Sequence, residues 1–137
     1  MTGWAAKTMN GPDSKAVAHQ EIVNFIERAA GSWGARRDVM TRVEFAVQQA
    51  VEAIVEFCHI SGPITVGISY DEFDIDAELS YDGVAVELAD RPPSHDELLE
   101  TESGPRMLSG FLIRRQADRA HSIVERGATV LKLHFKH

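Results

Sequence analysis

The chain has 137 residues, of which 44% are hydrophobic, and its formal net charge is −7 at pH 7. This is the size and apolar content of one globular domain, and the acidic balance argues against nucleic-acid binding and adsorption to anionic membranes. One cysteine, Cys58, permits no intrachain disulfide. Because no run approaches the roughly 18 apolar residues of a membrane span, and the N-terminus lacks a signal-peptide core, we expect a cytoplasmic protein.

The first 14 residues show no clear hydrophobic period. This predicts a flexible N-terminal arm over residues 1–14, or at most one edge strand, followed by a single domain over residues 15–137. Ser14 is a candidate N-cap for the first helix. Apolar residues then recur at helical spacing to Ala29, and we expect Gly31, Trp33 and Gly34 to end that helix.

A second helix of about 20 residues is predicted over 38–58, with Asp38 or Thr41 as its cap. Its apolar residues form one stripe, so the helix should cross the whole core. Cys58 and His59 are neighbours at its end. Adjacent helical residues do not face each other, so a buried, inert thiol is favoured over a nucleophile pair.

Three strands are predicted over residues 64–70, 73–79 and 84–88, where apolar and polar side chains alternate. Tight turns at Asp71-Glu72 and Asp82-Gly83 separate them. We therefore expect an antiparallel meander in which each strand has one buried face and one exposed face.

A polar connection of about 18 residues, 89–106, follows the strands, and loops of this length are usually functional or mobile. It contains one predicted helical turn that starts at His95. A third helix is predicted over residues 107–117. The chain then ends with a strand pair, residues 121–125 and 128–135, turned at Arg126-Gly127.

This order of elements predicts an α/β (α+β) fold. Strands with one exposed face, together with amphipathic helices, form a two-layer sandwich with helices on one face of a mixed, largely antiparallel sheet.

Three segments carry motif-like patterns: residues 45–53 in the second helix, residues 103–110 before the third helix, and Gly127-Ala-Thr-Val in the last strand. Together they resemble the nucleotide-binding motifs of anti-sigma-factor serine kinases, which belong to the gyrase/histidine-kinase-like (GHKL, Bergerat fold) ATPase superfamily. The resemblance covers about residues 16–135. It implies the histidine-kinase-like ATPase fold with a nucleotide cleft.

The family's helix motif is E-x-x-x-N, whose Glu activates the attacking group and whose Asn holds Mg²⁺. The corresponding residues in this chain are Gln49 and Ala53. A glutamine amide is no general base at neutral pH, and an alanine methyl cannot ligate Mg²⁺, which takes oxygen ligands. The comparison therefore implies no catalytic residue and no metal ligand in this helix.

The family's adenine-binding Asp corresponds to Asp90, at the end of the third predicted strand. Pro92 and Pro93 stand in the glycine region that follows. Proline fixes φ and removes amide donors, so this loop offers phosphate fewer contacts. The alternative for Asp90 is a loop carboxylate that caps the next turn.

The family's glycine-rich lid, S-G-G-R-G-L-G-L, orders around nucleotide and corresponds to residues 103–110. Gly104 and Arg106 match it, and Thr129 matches the family's last-strand motif, so these three and Asp90 are the candidate cofactor-binding residues. Three lid glycines are replaced, by Pro105, Met107 and Ser109. Glycines let amides approach phosphate closely. Arg106 could still pair with an anion at the helix start, or be a solvated side chain.

Two further charged groups have alternative interpretations. A row of carboxylates on the second strand could bind Ca²⁺ or a basic partner, but is more typical of a solvated strand face: Asp74, Asp76 and Glu78. A small basic cluster expected on the third helix is either solvated or a docking patch for an acidic partner: Arg114, Arg115 and Arg119.

Our first hypothesis is a regulatory interaction domain that resembles an anti-sigma factor, is not an enzyme and uses no cofactor. Its partner would be a sigma factor or an anti-sigma antagonist, and family members commonly dimerise, so we expect a homodimer. Two alternatives stay open. One is a divergent serine kinase or histidine-kinase-type ATPase, in which Asp90 binds adenine, Arg106 binds phosphate, and Mg²⁺ is held by Gln49 or by another side chain. The other is a small-ligand sensor that uses the former nucleotide cleft.

Overall fold

The structure, a computed structural model, describes residues 3–9 and 15–137. The elements in chain order are β1 (Gly3–Met9), α1 (Lys15–Trp33), α2 (Arg37–Phe57), β2 (Ser61–Tyr70), β3 (Asp74–Asp82), α3 (His95–Glu100), α4 (Ser103–Gln116), β4 (Arg119–Glu125) and β5 (Ala128–Lys136). None of the helices in these ranges is long and apolar enough to cross a membrane.

The five strands form one open sheet in the order β1-β2-β3-β5-β4, and every neighbouring pair is antiparallel. The expected sheet was mixed and largely antiparallel; in the described residues it is antiparallel throughout. Alternate side chains of the three central strands are buried on one face: Ile64, Val66, Ile68, Ile75, Ala77, Leu79, Leu131, Leu133 and Phe135. The predicted α+β sandwich is confirmed.

Helix α2 covers the centre of that apolar face. Its buried stripe includes Val43, Val47 and Ile54, each fully buried, as the 3.6-residue period predicts. The two cap predictions for this helix are wrong. Asp38 is in the first turn, where it pairs with Arg36 (3.2 Å), and the Thr41 hydroxyl donates to the Arg37 carbonyl (3.0 Å).

Strand β1 pairs with β2 from Gly3↔Tyr70 to Met9↔Ile64. Residues 3–9 are thus an edge strand, the alternative named above, and not a flexible arm, because seven consecutive residues are paired. The candidate cap Ser14 lies outside the described residues.

The prediction of a third strand over residues 84–88 is wrong. Its place beside β3 is taken by β5, which pairs with β3 from Asp74↔Lys136 to Tyr81↔Thr129. The alternating segment instead leaves the sheet and passes towards the helices, and Val86 is buried there.

The connection to the helical layer contains α3, which confirms the predicted turn at His95. Ser94 caps α3 in a reciprocal capping box with Glu97. Helix α4 begins at Ser103, four residues earlier than predicted, because Pro105 is tolerated in a first helical turn. The segment expected as a lid loop is therefore the start of a helix.

The β4–β5 turn is at the predicted residues. Arg126 and Gly127 have φ of 52° and 80°, the pair of positive values that a two-residue hairpin turn of type I′ requires. Arg119 lies in β4, so the three expected arginines are not all on one helix.

On the exposed face of the sheet, the row of carboxylates on β3 contacts polar side chains of β5. His134 lies between Asp74 (Nε2 to Oδ1, 3.0 Å) and Asp76 (Nδ1 to Oδ1, 2.7 Å), and Lys132 Nζ is 3.7 Å from Glu78. Within the described ranges, no group of three or more His, Cys, Asp and Glu side chains is arranged to hold a metal ion.

Candidate functional site

A recess of about 200 Å³ lies between the end of α2, the segment that follows β3, and the start of α4. We call it the α2–α4 recess. Helix α2 contributes Ala53 and Phe57, with Cys58 next to its end; the segment contributes residues 84–87; and α4 contributes Arg106.

Partly buried hydrogen bonds fix the segment that forms one wall of the recess. The Tyr81 hydroxyl donates to the Val84 carbonyl (2.7 Å), and the Val84 amide donates to the Cys58 carbonyl (2.9 Å). From β5, the Thr129 hydroxyl donates to the Gly83 carbonyl (2.7 Å). The segment therefore leaves β3 along one path, tied to both α2 and β5, and the recess has a defined wall.

The thiol of Cys58 borders the recess, and its burial makes it unreactive. Desolvation by burial raises the pKa of this thiol, against smaller lowering effects of the Tyr81 hydroxyl and the Arg106 charge. The thiolate is the nucleophilic form, so at neutral pH Cys58 acts as a small apolar group. Burial raises the pKa of Tyr81 in the same way.

The polar end of the recess is one ion pair. Arg106 Nε donates to Glu87 Oε2 at 2.9 Å, and about half of each side chain is exposed to solvent. Solvent screening makes such a pair worth little to stability, about 0–1 kcal/mol. Its importance lies in its position, because it places a permanent cation beside an apolar surface.

Helix α4 packs at Gly110 against the segment that follows β3. A Cβ at this residue would overlap the carbonyl of Glu87, so main chain contacts main chain there. Gly104 makes a similar contact with Glu97 in α3, and its amide donates to the Thr101 hydroxyl (3.1 Å). Both glycines are needed for close packing between elements.

The other candidate residues lie elsewhere. Asp90 is 84% exposed and pairs with Arg114 NH1 at 2.8 Å, outside the recess. Thr129 is buried in β5, next to the turn that follows β3. Gln49 is half-buried on α2 and does not line the recess.

Of the residues that the motif comparison selected, the structure thus brings Ala53 and Arg106 together at one recess. It adds several that sequence reasoning missed: Phe57, Cys58, Val84, Ala85, Val86 and Glu87. Most are apolar, and in the sequence they fit the same pattern as core residues, so no chemical signal marks them.

No protein-family model matches the chain, and the search of curated proteins found no match. Among solved structures, the chain is similar to the crystal structure of the RsbU and RsbW domains of Rv1364c from Mycobacterium tuberculosis, with a TM-score of 0.65 at 14% sequence identity. The similarity covers 97% of this chain but 32% of that one, so this chain spans about a third of its length. At such identity the likeness shows the fold: an open antiparallel sheet with helices on one side.

Proposed function

We propose that this chain is an RsbW-like regulatory domain of the anti-sigma-factor type, which binds a protein partner and has lost phosphate transfer. The observation that carries the proposal is the α2–α4 recess, which Ala53 lines with a methyl group; the motif resemblance aligns this residue with the family's Mg²⁺ ligand. The fold likeness to an RsbW-containing protein supports the same class of function.

The residues of the recess do not fit Mg-ATP. Mg²⁺ takes oxygen ligands in octahedral geometry, and the carboxylate of Glu87 is already bonded to Arg106. The volume of about 200 Å³ is below the range of roughly 300–1,000 Å³ that pockets for drug-sized ligands have. The adenine-binding candidate, Asp90, is paired with Arg114 outside the recess.

The proposed partner is a sigma factor or an anti-sigma antagonist, and the proposed assembly is a homodimer. The chain carries a net charge of −7, so complementary partners would present basic surfaces, and their association would slow as salt is raised.

Isothermal titration of the purified chain with ATP and ADP, with and without Mg²⁺, tests the loss of nucleotide chemistry. We expect no binding tighter than about 100 µM, which corresponds to about −5.5 kcal/mol. Binding of that strength that requires Mg²⁺ would contradict the proposal and favour the divergent kinase. In that case Asp90→Ala should abolish it.

The partner is tested by biolayer interferometry against each purified sigma factor of the source organism. Light scattering on the free chain measures the dimer. We expect one sigma factor to bind the wild type and Asp90→Ala equally, because the Asp90 carboxylate lies outside the recess. Failure of every sigma factor and antagonist to bind would remove the anti-sigma interpretation, whatever the nucleotide result.

A further inference from the structure

We propose that the α2–α4 recess binds a compact apolar carboxylic acid, such as an acid with one aromatic ring, with the ligand's carboxylate on Arg106. This inference rests on the proposed loss of nucleotide chemistry at the recess, and not on the identity of the protein partner.

The inner surface of the recess selects an apolar body. Ala53, Phe57 and Val86 line it with hydrocarbon, and the thiol of Cys58 is neutral there. A cavity of about 150 Å³ lined by aliphatic and aromatic side chains accommodates benzene. At about 200 Å³, this recess holds a single ring with one small polar group, or an aliphatic chain of similar volume.

The polar end selects an anion. Arg106 is charged at every pH of interest, and its guanidinium presents five N–H donors in a fixed plane. The bond to Glu87 uses the donor on Nε (2.9 Å), which shows that a carboxylate already fits at this position. A ligand carboxylate can accept two parallel hydrogen bonds from the planar guanidinium, one on each oxygen, which is the geometry that arginine favours.

Binding would displace Glu87 at small cost. About half of its side chain is exposed, so the released carboxylate returns to water. The main-chain carbonyl of the same residue, which contacts Gly110 in α4, does not have to move when the side chain leaves Arg106.

A titration with benzoate, followed by two-dimensional amide NMR to about 10 mM, tests the proposal. Benzoate should shift the amides of residues 84–87 and 106. Benzyl alcohol and benzylamine keep the ring and change the charge. Their affinities, measured from the same amide shifts, should be at least tenfold weaker. Arg106→Gln should weaken benzoate binding by about tenfold or more, which is about 1.4 kcal/mol or more.

Arg114→Gln is the matched control, because Arg114 is on the same helix, is equally exposed and also pairs with a carboxylate, but outside the recess. It should change benzoate affinity less than twofold. A second variant, Ala53→Leu, fills the recess while Arg106 stays, and it should abolish binding. Near-UV circular dichroism establishes that each variant is folded.

Three results would each overturn the proposal: no amide shift with benzoate, equal shifts with benzylamine, or binding that survives in folded Ala53→Leu. Nucleotide binding is a separate readout. Mg-dependent ATP binding would contradict the proposed function even if benzoate binds, and failure of benzoate leaves the partner hypothesis intact.

Discussion

Substituting Gly110 with alanine tests how helix α4 is seated above the recess. An added Cβ would overlap the carbonyl oxygen of Glu87 and lie 2.8 Å from its carbonyl carbon and 3.3 Å from the amide nitrogen of Ala89. All three atoms belong to the main chain, so no change of rotamer relieves the overlap. Either α4 or the segment that follows β3 has to move.

Two opposing effects set the magnitude. In a helix interior, alanine is more favourable than glycine by about 1 kcal/mol. Overpacking at a closely packed site costs about 1–3 kcal/mol, and a clash with main chain belongs at the upper end. We therefore expect Gly110→Ala to lower the free energy of unfolding by about 2 kcal/mol, from about 3 kcal/mol of strain less about 1 kcal/mol of helix propensity.

Gly31→Ala is the matched control. Gly31 is also in a helix, α1, and is exposed, with no heavy atom within 4 Å of an added Cβ. Only the helix propensity acts there, so this variant should gain about 0.5–1 kcal/mol. Urea unfolding followed by far-UV circular dichroism measures both. If Gly110→Ala is as stable as the wild type while Gly31→Ala gains, α4 does not contact the Glu87 carbonyl and the recess lacks its fixed wall.

Two further predictions concern the hydrogen bonds around the recess and α3. Tyr81→Phe removes the buried donor to the Val84 carbonyl and should cost about 1–2 kcal/mol in urea unfolding; an unchanged midpoint would mean that this bond is absent in solution. The side-chain hydrogen bond from Arg91, followed by the bonds to Ser94, lowers the pKa of Glu97 from 4.5 to about 2, so its contribution to stability is complete above pH 4.5 and is lost as the pH falls through about 2. NMR titration of the Glu97 carboxyl carbon should give that low midpoint, and Glu97→Gln should be less stable than the wild type at pH 7 but not near pH 2; a midpoint near 4.5 would contradict the capping geometry.

Local periodicity was sufficient for most of the fold. The apolar stripe of α2, the alternation in β2 and β3, and the Arg126-Gly127 hairpin are each encoded within one segment, and each was predicted. The failure came at residues 84–88, which alternate as a strand does. Which strand pairs with β3 is decided by β5, more than 40 residues away, and strand propensity carries no information about such a partner.

Motif position selected two of the residues that line the candidate recess, and it gave no signal for the residues that supply its shape. Ala53 and Arg106 were selected by position in the motifs, and both line the recess. Asp90 was selected in the same way, but its carboxylate turns to Arg114, since position in a loop does not fix the direction of a side chain. Phe57 and Val86 were missed because an apolar wall residue and an apolar core residue have the same sequence pattern.

The contacts of residues 103–110, the segment that resembles the family's lid, bear on the proposed loss of phosphate transfer. A glycine-rich lid holds phosphate with main-chain amides that have no partner in the protein. Here the Gly104 amide donates to Thr101, and α3 before it is closed by its own capping box and by the Arg91–Glu97 ion pair at 2.9 Å. Contacts within the protein thus hold this segment. In this segment the Arg106 side chain lines the recess and holds the Glu87 carboxylate at 2.9 Å, which is the geometry that the proposed binding of a carboxylate requires.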